Sequence, residues 1–140
     1  MQLREIMSTN VEVISPDLPL QQAAQRMREI DTGFLPVGEN DRLVGTLTDR
    51  DIAVRAVAEG RNDLSVQDAM SSDRIATARE DDDVDRVMEL MRENKVRRIP
   101  VVGQNEEVVG MIAQADLARE ARDENEVERT VEKISEPGRR

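Results

Sequence analysis

The residues best placed to do chemistry in this chain are a threonine and an aspartate three positions apart. Thr48 and Asp51 close the run Gly45-Thr46-Leu47-Thr48-Asp49-Arg50-Asp51-Ile52. That spacing makes a helix start: the hydroxyl accepts from the amide three residues on, and the carboxylate reaches back to the cap amide. Capping alone accounts for both residues. The same pair also suits a ligand. A helix start offers free amides to an anion, a hydroxyl donates to phosphate, and a carboxylate accepts from both hydroxyls of a ribose. Arg50 lies between them and can pair with phosphate. The run returns as Gly110-Met111-Ile112-Ala113-Gln114-Ala115-Asp116-Leu117, where alanine replaces the hydroxyl and the aspartate stays. A broken capping pair beside a retained carboxylate favours a ligand role for Asp116, although acid at a helix start is favourable by itself. Lys95-Val96-Arg97-Arg98 adds local positive charge ahead of Ile99-Pro100-Val101. It is either a solvated surface cluster or the phosphate contact that an acidic protein needs.

Other chemistries lack their residues. The 140-residue chain has no histidine and no cysteine, so nucleophile–histidine pairs, disulfides and thiolate sites are impossible. No nucleophile–base pair or metal cluster is in view, which disfavours an enzyme. Glu80-Asp81-Asp82-Asp83 lacks the glycine turn of a calcium loop and reads as a solvated helix start. The net charge of −10 argues against nucleic acid and against an anionic membrane. No run is long enough to span a bilayer, and Met1-Gln2-Leu3-Arg4-Glu5 has no signal-peptide pattern. The expected location is cytoplasmic.

The elements that position these residues come in two copies, offset by 63 to 65 residues. Met7-Ser8 recurs as Met70-Ser71, Met27 as Met91, Pro36-Val37 as Pro100-Val101, and Gly45 as Gly110. Each copy opens on a short strand, Val11-Glu12-Val13-Ile14 or Arg74-Ile75-Ala76-Thr77. A helix follows, with Leu20, Ala23, Ala24 and Met27, or Val84, Val87, Met88 and Met91, on one face. Two strands then form a hairpin with a longer loop: Phe34-Leu35-Pro36-Val37 with Arg42 to Leu47, and Ile99 to Val102 with Val108 to Ile112. The prolines imply an edge or an unpaired backbone position. The glycines let another backbone come close. The closing helix, Asp51 to Glu59, is apolar nearly all round except for Arg55, so a second side of it must meet the other repeat or a second subunit. Leu90, off the main stripe of its helix, should expose more apolar surface. Units of about 60 residues are marginal alone, so the two should share one body. The boundaries read as 7–60 for the first unit, 61–118 for the second with a linker at its start, and 119–140 for a helical tail carrying Val127, Val131 and Ile134.

The doubled pattern resembles the tandem CBS domain, named for cystathionine beta-synthase. The matching residues are Gly33-Phe34-Leu35-Pro36-Val37 with Gly45 to Asp51, and Arg97-Arg98-Ile99-Pro100-Val101 with Gly110 to Asp116. The resemblance covers about Met7 to Ala118 and is to stand-alone pairs of the hypoxic response protein type. It implies an α+β fold of two β-α-β-β-α units, each a three-stranded mixed sheet with two helices, packed about a pseudo-twofold axis. It implies a non-catalytic regulatory module, an energy sensor, binding AMP, ADP, ATP or S-adenosylmethionine in clefts between the units. No cofactor is required beyond such a ligand. Carried over, one cleft offers Thr48, Arg50 and Asp51, and the other Arg97, Arg98 and Asp116. Val13, Ile14, Pro36, Ala76, Thr77 and Pro100 would border the base. Ala113 and the uncharged Gly33-Phe34 depart from the family pattern. The partners implied are a homodimer mate, joined through the closing helices, and a regulated protein. A structural dimerisation module with empty clefts is the alternative.

Overall fold

The structure is a computed structural model that describes residues 1–121. The tail helix expected around Val127, Val131 and Ile134 lies outside the described residues. The first repeat runs α1 (Leu20–Ile30), β1 (Phe34–Glu39), β2 (Arg42–Thr48) and α2 (Asp49–Ile52), which passes directly into a π-helical turn, Ala53–Val57. A short helix α3 (Val66–Ala69) leads into the second repeat. There α4 (Val84–Asn94), β3 (Arg98–Val102) and β4 (Val108–Ala113) are followed by a helix α5 over 114–121. The fold is α+β, with an antiparallel strand pair and covering helices in each unit. No helix among the described residues is long and apolar enough to cross a membrane.

The helical stripes bury as their spacing predicts: Leu20, Ala23 and Met27 on α1, Val87 and Met91 on α4. Both helices end on a left-handed residue, Asp31 and Lys95, whose amides bond back to the last turn. The first hairpin is tighter than expected. β1 extends through Glu39, which pairs with Arg42, leaving Asn40-Asp41 as a two-residue turn with φ of 53° and 61°. Positive φ at both positions matches the strand twist. The second hairpin keeps the longer loop, closed by Gly103 N donating to Glu107 O at 2.9 Å.

The expected opening strands shrink to single bridges. Ile14 pairs with Val37, and Ala78, one residue beyond the run anticipated for a strand, pairs with Val101, both in parallel. Ile14 N donates to Pro36 O and Gly38 N donates to Ile14 O, at 3.0 and 2.9 Å. The next rung back would need an amide on Pro36, which has none, and Pro100 stops the ladder at Ala78 in the same way. The prolines are buried and pair within their hairpins, Pro36 with Thr46 and Pro100 with Met111, while the side that lacks an amide faces the opening segment.

Two cores result, and each takes a plug from the other repeat. Val66 and Ala69 of α3 are buried among Leu35, Val37 and Leu47 of the first repeat, while Leu3 is buried among Val87, Ile99 and Ile112 of the second. Backbone bonds fix both plugs. Ser71 and Thr46 exchange two amide bonds at 2.8 Å, and Ser8 and Met111 exchange two at 2.9 and 2.8 Å. The close approach falls where glycine was expected to permit it. A Cβ on Gly45 would lie 3.0 Å from Ser71 O, and one on Gly110 would lie 2.9 Å from Ser8 O. The helix closing the first repeat buries only Ala56, leaving Val54 50% and Val57 70% exposed. Arg55 turns away from that face and donates to the carbonyls of Ala69 and Met70 at 2.9 Å, closing the C-terminal end of α3. Leu90 is partly covered by the second core.

Candidate functional site

Because leading segments cross over, each cleft is built from both repeats. The smaller cleft, about 240 Å³, joins Thr48 and Asp51 of the first repeat to Ser71, Arg74, Ala76 and Pro100 of the second half. The larger, about 560 Å³, joins Ala113 and Asp116 of the second repeat to Ser8, Glu12, Arg26 and Pro36 of the first half. Phe34 and Arg98 line both. These two are repeat equivalents. Each starts its strand opposite the residue at the helix start, Phe34 against Thr48 and Arg98 against Ala113.

The helix-start geometry is present in full in the first repeat. Asp51 N donates to Thr48 Oγ1 at 3.1 Å, and Thr48 N donates to Asp51 Oδ2 at 2.9 Å. Asp51 Oδ1 faces the Ser71 hydroxyl at 3.5 Å. In the second repeat half of the box survives: Ala113 N donates to Asp116 Oδ2 at 3.0 Å. Asp116 therefore has a structural role without the hydroxyl, and its other oxygen accepts from Arg119 at 2.6 Å. Asp83 caps α4 by accepting from Asp85 N at 2.8 Å, and Asp82 accepts from Arg79 N at 2.9 Å, which accounts for much of the acidic run.

The other expected residues are distributed by strand alternation. Arg97 precedes Arg98 and points elsewhere, into a cavity of about 430 Å³ with Met88, Arg92 and Lys95. It is not beside Asp116. Val13 and Ile14 lie past the cleft, in a cavity of about 720 Å³ between the two hairpin turns; Val11 and Glu12 take the place expected of them. Arg50 and Thr77 line neither cleft, Arg50 being exposed at the helix start.

Several lining residues went unread in the sequence. Ser8 and Ser71 were visible as a repeated Met-Ser pair, but nothing local says that each lines the cleft of the other repeat's aspartate. Arg74 reaches the smaller cleft from a left-handed backbone, φ 57°. Arg26 in the larger cleft is already matched: it donates to both Glu12 oxygens at 2.8 Å and to Glu29 at 2.5 Å. Its pKa is raised, first by the hydrogen bond to Glu12 and then by that to Glu29, so it stays charged and neutralised. No group of three or more acidic side chains among the described residues is arranged to hold a metal ion.

The profile of the CBS domain family matches residues 3–57 and 66–123. The chain belongs to the CBS domain family. Among curated relatives of this CBS pair, the CBS domain-containing protein YhcV of Bacillus subtilis is 35% identical over 116 residues, covering 83% of this chain and 82% of the relative. Hypoxic response protein 1 of Mycobacterium tuberculosis is 36% identical over 118 residues, with the same coverage. Inosine-5'-monophosphate dehydrogenase of Thermoplasma acidophilum matches over only 22% of its own length. Among solved structures, the CBS domain pair of protein MJ0100 in complex with 5'-methylthioadenosine and S-adenosyl-L-methionine superposes with a TM-score of 0.80 at 26% identity, covering 89% of this chain and 98% of that one. Hypoxic Response Protein I with two coordinated zinc ions superposes with a TM-score of 0.75 at 36% identity, covering 86% and 98%. This CBS pair has no histidine or cysteine to offer a zinc ion.

Proposed function

We propose that this CBS pair is a non-catalytic regulatory module that binds an adenosine-containing ligand in its two inter-repeat clefts and reports it to a protein partner. The carrying observation is that each cleft sets an aspartate of one repeat against the proline-bearing strand of the other. A ligand held there spans the boundary between the repeats, so its binding couples to how they sit. In each aspartate Oδ2 serves the backbone, and Oδ1 would turn to a ribose in place of its present partner, the Ser71 hydroxyl at Asp51 and Arg119 at Asp116. The MJ0100 pair, of matching architecture, supports the class of ligand. The acidic surface and the lack of a spanning helix among the described residues fit a cytoplasmic role. The exposed Val54–Val57 face suits a homodimer.

Calorimetric titration of adenosine, AMP, ADP, ATP and S-adenosylmethionine tests the reading. At least one should bind, and Asp51→Ala and Asp116→Ala should each weaken one event by about tenfold to a hundredfold, the usual cost of a hydrogen bond to a charged group. The alternative, a structural dimerisation module, draws on the capping bonds that already engage both carboxylates. No heat from any of the five ligands, with intact dimer, favours it.

A further inference from the structure

Arg98 stands at the boundary of both clefts, and the side chain of its repeat equivalent Phe34 has no hydrogen-bond donor. None of the ion pairs among the described residues involves Arg98. In the larger cleft the other cation, Arg26, is committed to Glu12 and Glu29. The smaller cleft has a cation of its own, Arg74, which lines it with Asp51 and Asp73 and enters none of the ion pairs among the described residues. A phosphate in the larger cleft thus depends on Arg98, and one in the smaller cleft gains from it.

We propose that the two clefts compete for this one guanidinium, so that a phosphate-bearing ligand in either weakens phosphate binding in the other. The proposal rests on the reading of the clefts as nucleotide sites and adds a coupling between them. One planar guanidinium satisfies one phosphate in its bidentate geometry. The occupant that arrives second finds the arginine engaged and meets the first occupant's negative charge. Because coupling is reciprocal, each cleft weakens the other by the same factor. Adenosine, which carries no phosphate, should fill the two independently.

The test compares ADP and adenosine by calorimetry in the wild type, Asp51→Ala, Arg98→Gln and Phe34→Arg. Disabling the smaller cleft with Asp51→Ala should tighten ADP in the larger one by about tenfold, the lower end for a charge-assisted bond, and leave adenosine there unchanged. Adding Arg98→Gln to Asp51→Ala should abolish that gain. Phe34→Arg gives the pair a second guanidinium and should bring the two ADP events closer together. If adenosine binds twice and ADP in the larger cleft is indifferent to Asp51→Ala, the coupling is overturned while the nucleotide reading stands. If adenosine and ADP both fail to bind, the nucleotide reading fails and the coupling with it.

Discussion

At the scale of single residues, the two helix starts differ by one hydroxyl, and that difference is measurable. Thr48 completes a reciprocal cap; Ala113 leaves Asp116 bonding alone. Ala113→Thr should raise stability by about 1 kcal/mol and Thr48→Ala should lower it by about the same, read as opposite shifts of the urea midpoint. Loss of stability in Ala113→Thr would mean that the hydroxyl cannot reach the amide of Asp116. The glycines beside these caps predict a steeper cost. An alanine at 45 brings a Cβ within 2.7 Å of Met70 Sδ and 3.0 Å of Ser71 O. The thioether can swing aside but the carbonyl is held by the ladder. Gly45→Ala and Gly110→Ala should each cost about 1–3 kcal/mol by the same denaturation assay; an unchanged midpoint would show that the crossed-over segments do not sit this close. Caps and close glycines were legible because they depend on neighbours within three residues or on a missing Cβ. The side taken by Arg97 was not. Alternation says that it opposes Arg98, but which face opens onto a cleft depends on the other repeat.

At the scale of elements, sequence patterning correctly located both amphipathic helices and both hairpins, since periodicity is local. It overextended the opening strands. The prolines that flagged the repeat also end the parallel ladder, a reading available from Pro36 and Pro100 had the direction of their missing amides been known. The partner of each leading segment was illegible, because overlaying two repeats aligns equivalents and says nothing of which copy receives them. The structure makes that assignment testable at Leu3. Its side chain is fully buried in a cluster whose other buried members run from Ala78 to Leu117, and the segment is held by Leu3 N to Asp82 O at 3.0 Å and Arg4 N to Glu80 O at 2.9 Å. Leu3→Ala should therefore cost about 2–5 kcal/mol. Amide exchange should quicken first in α4 and β4, sixty residues or more away in sequence, before it does in β1 and β2. Quickening confined to the first repeat would contradict the placement.

At the scale of the whole molecule, the unspent surface lies on the helix after Asp51. An apolar helix was legible as one needing cover on two sides, and Val54 and Val57 remain largely exposed in the single chain. A dimer in light scattering at micromolar concentration is the expected outcome, and Val57→Asp should give a monomer with unaltered circular dichroism, since an aspartate buried in that contact has no partner. A wild-type monomer would leave the helix face without a role. The reciprocal plugs carry a different consequence. Sever the chain in the linker near Gly60, and the first fragment keeps Leu3, which the second core lacks, while the second keeps Val66 and Ala69, which the first core lacks. Neither fragment can close its own interior, yet each holds the missing piece of the other. The pair is thus a natural split protein: two tags on the fragments would report their reunion, and nucleotide added to the mixture would strengthen the signal only by being gripped from both sides.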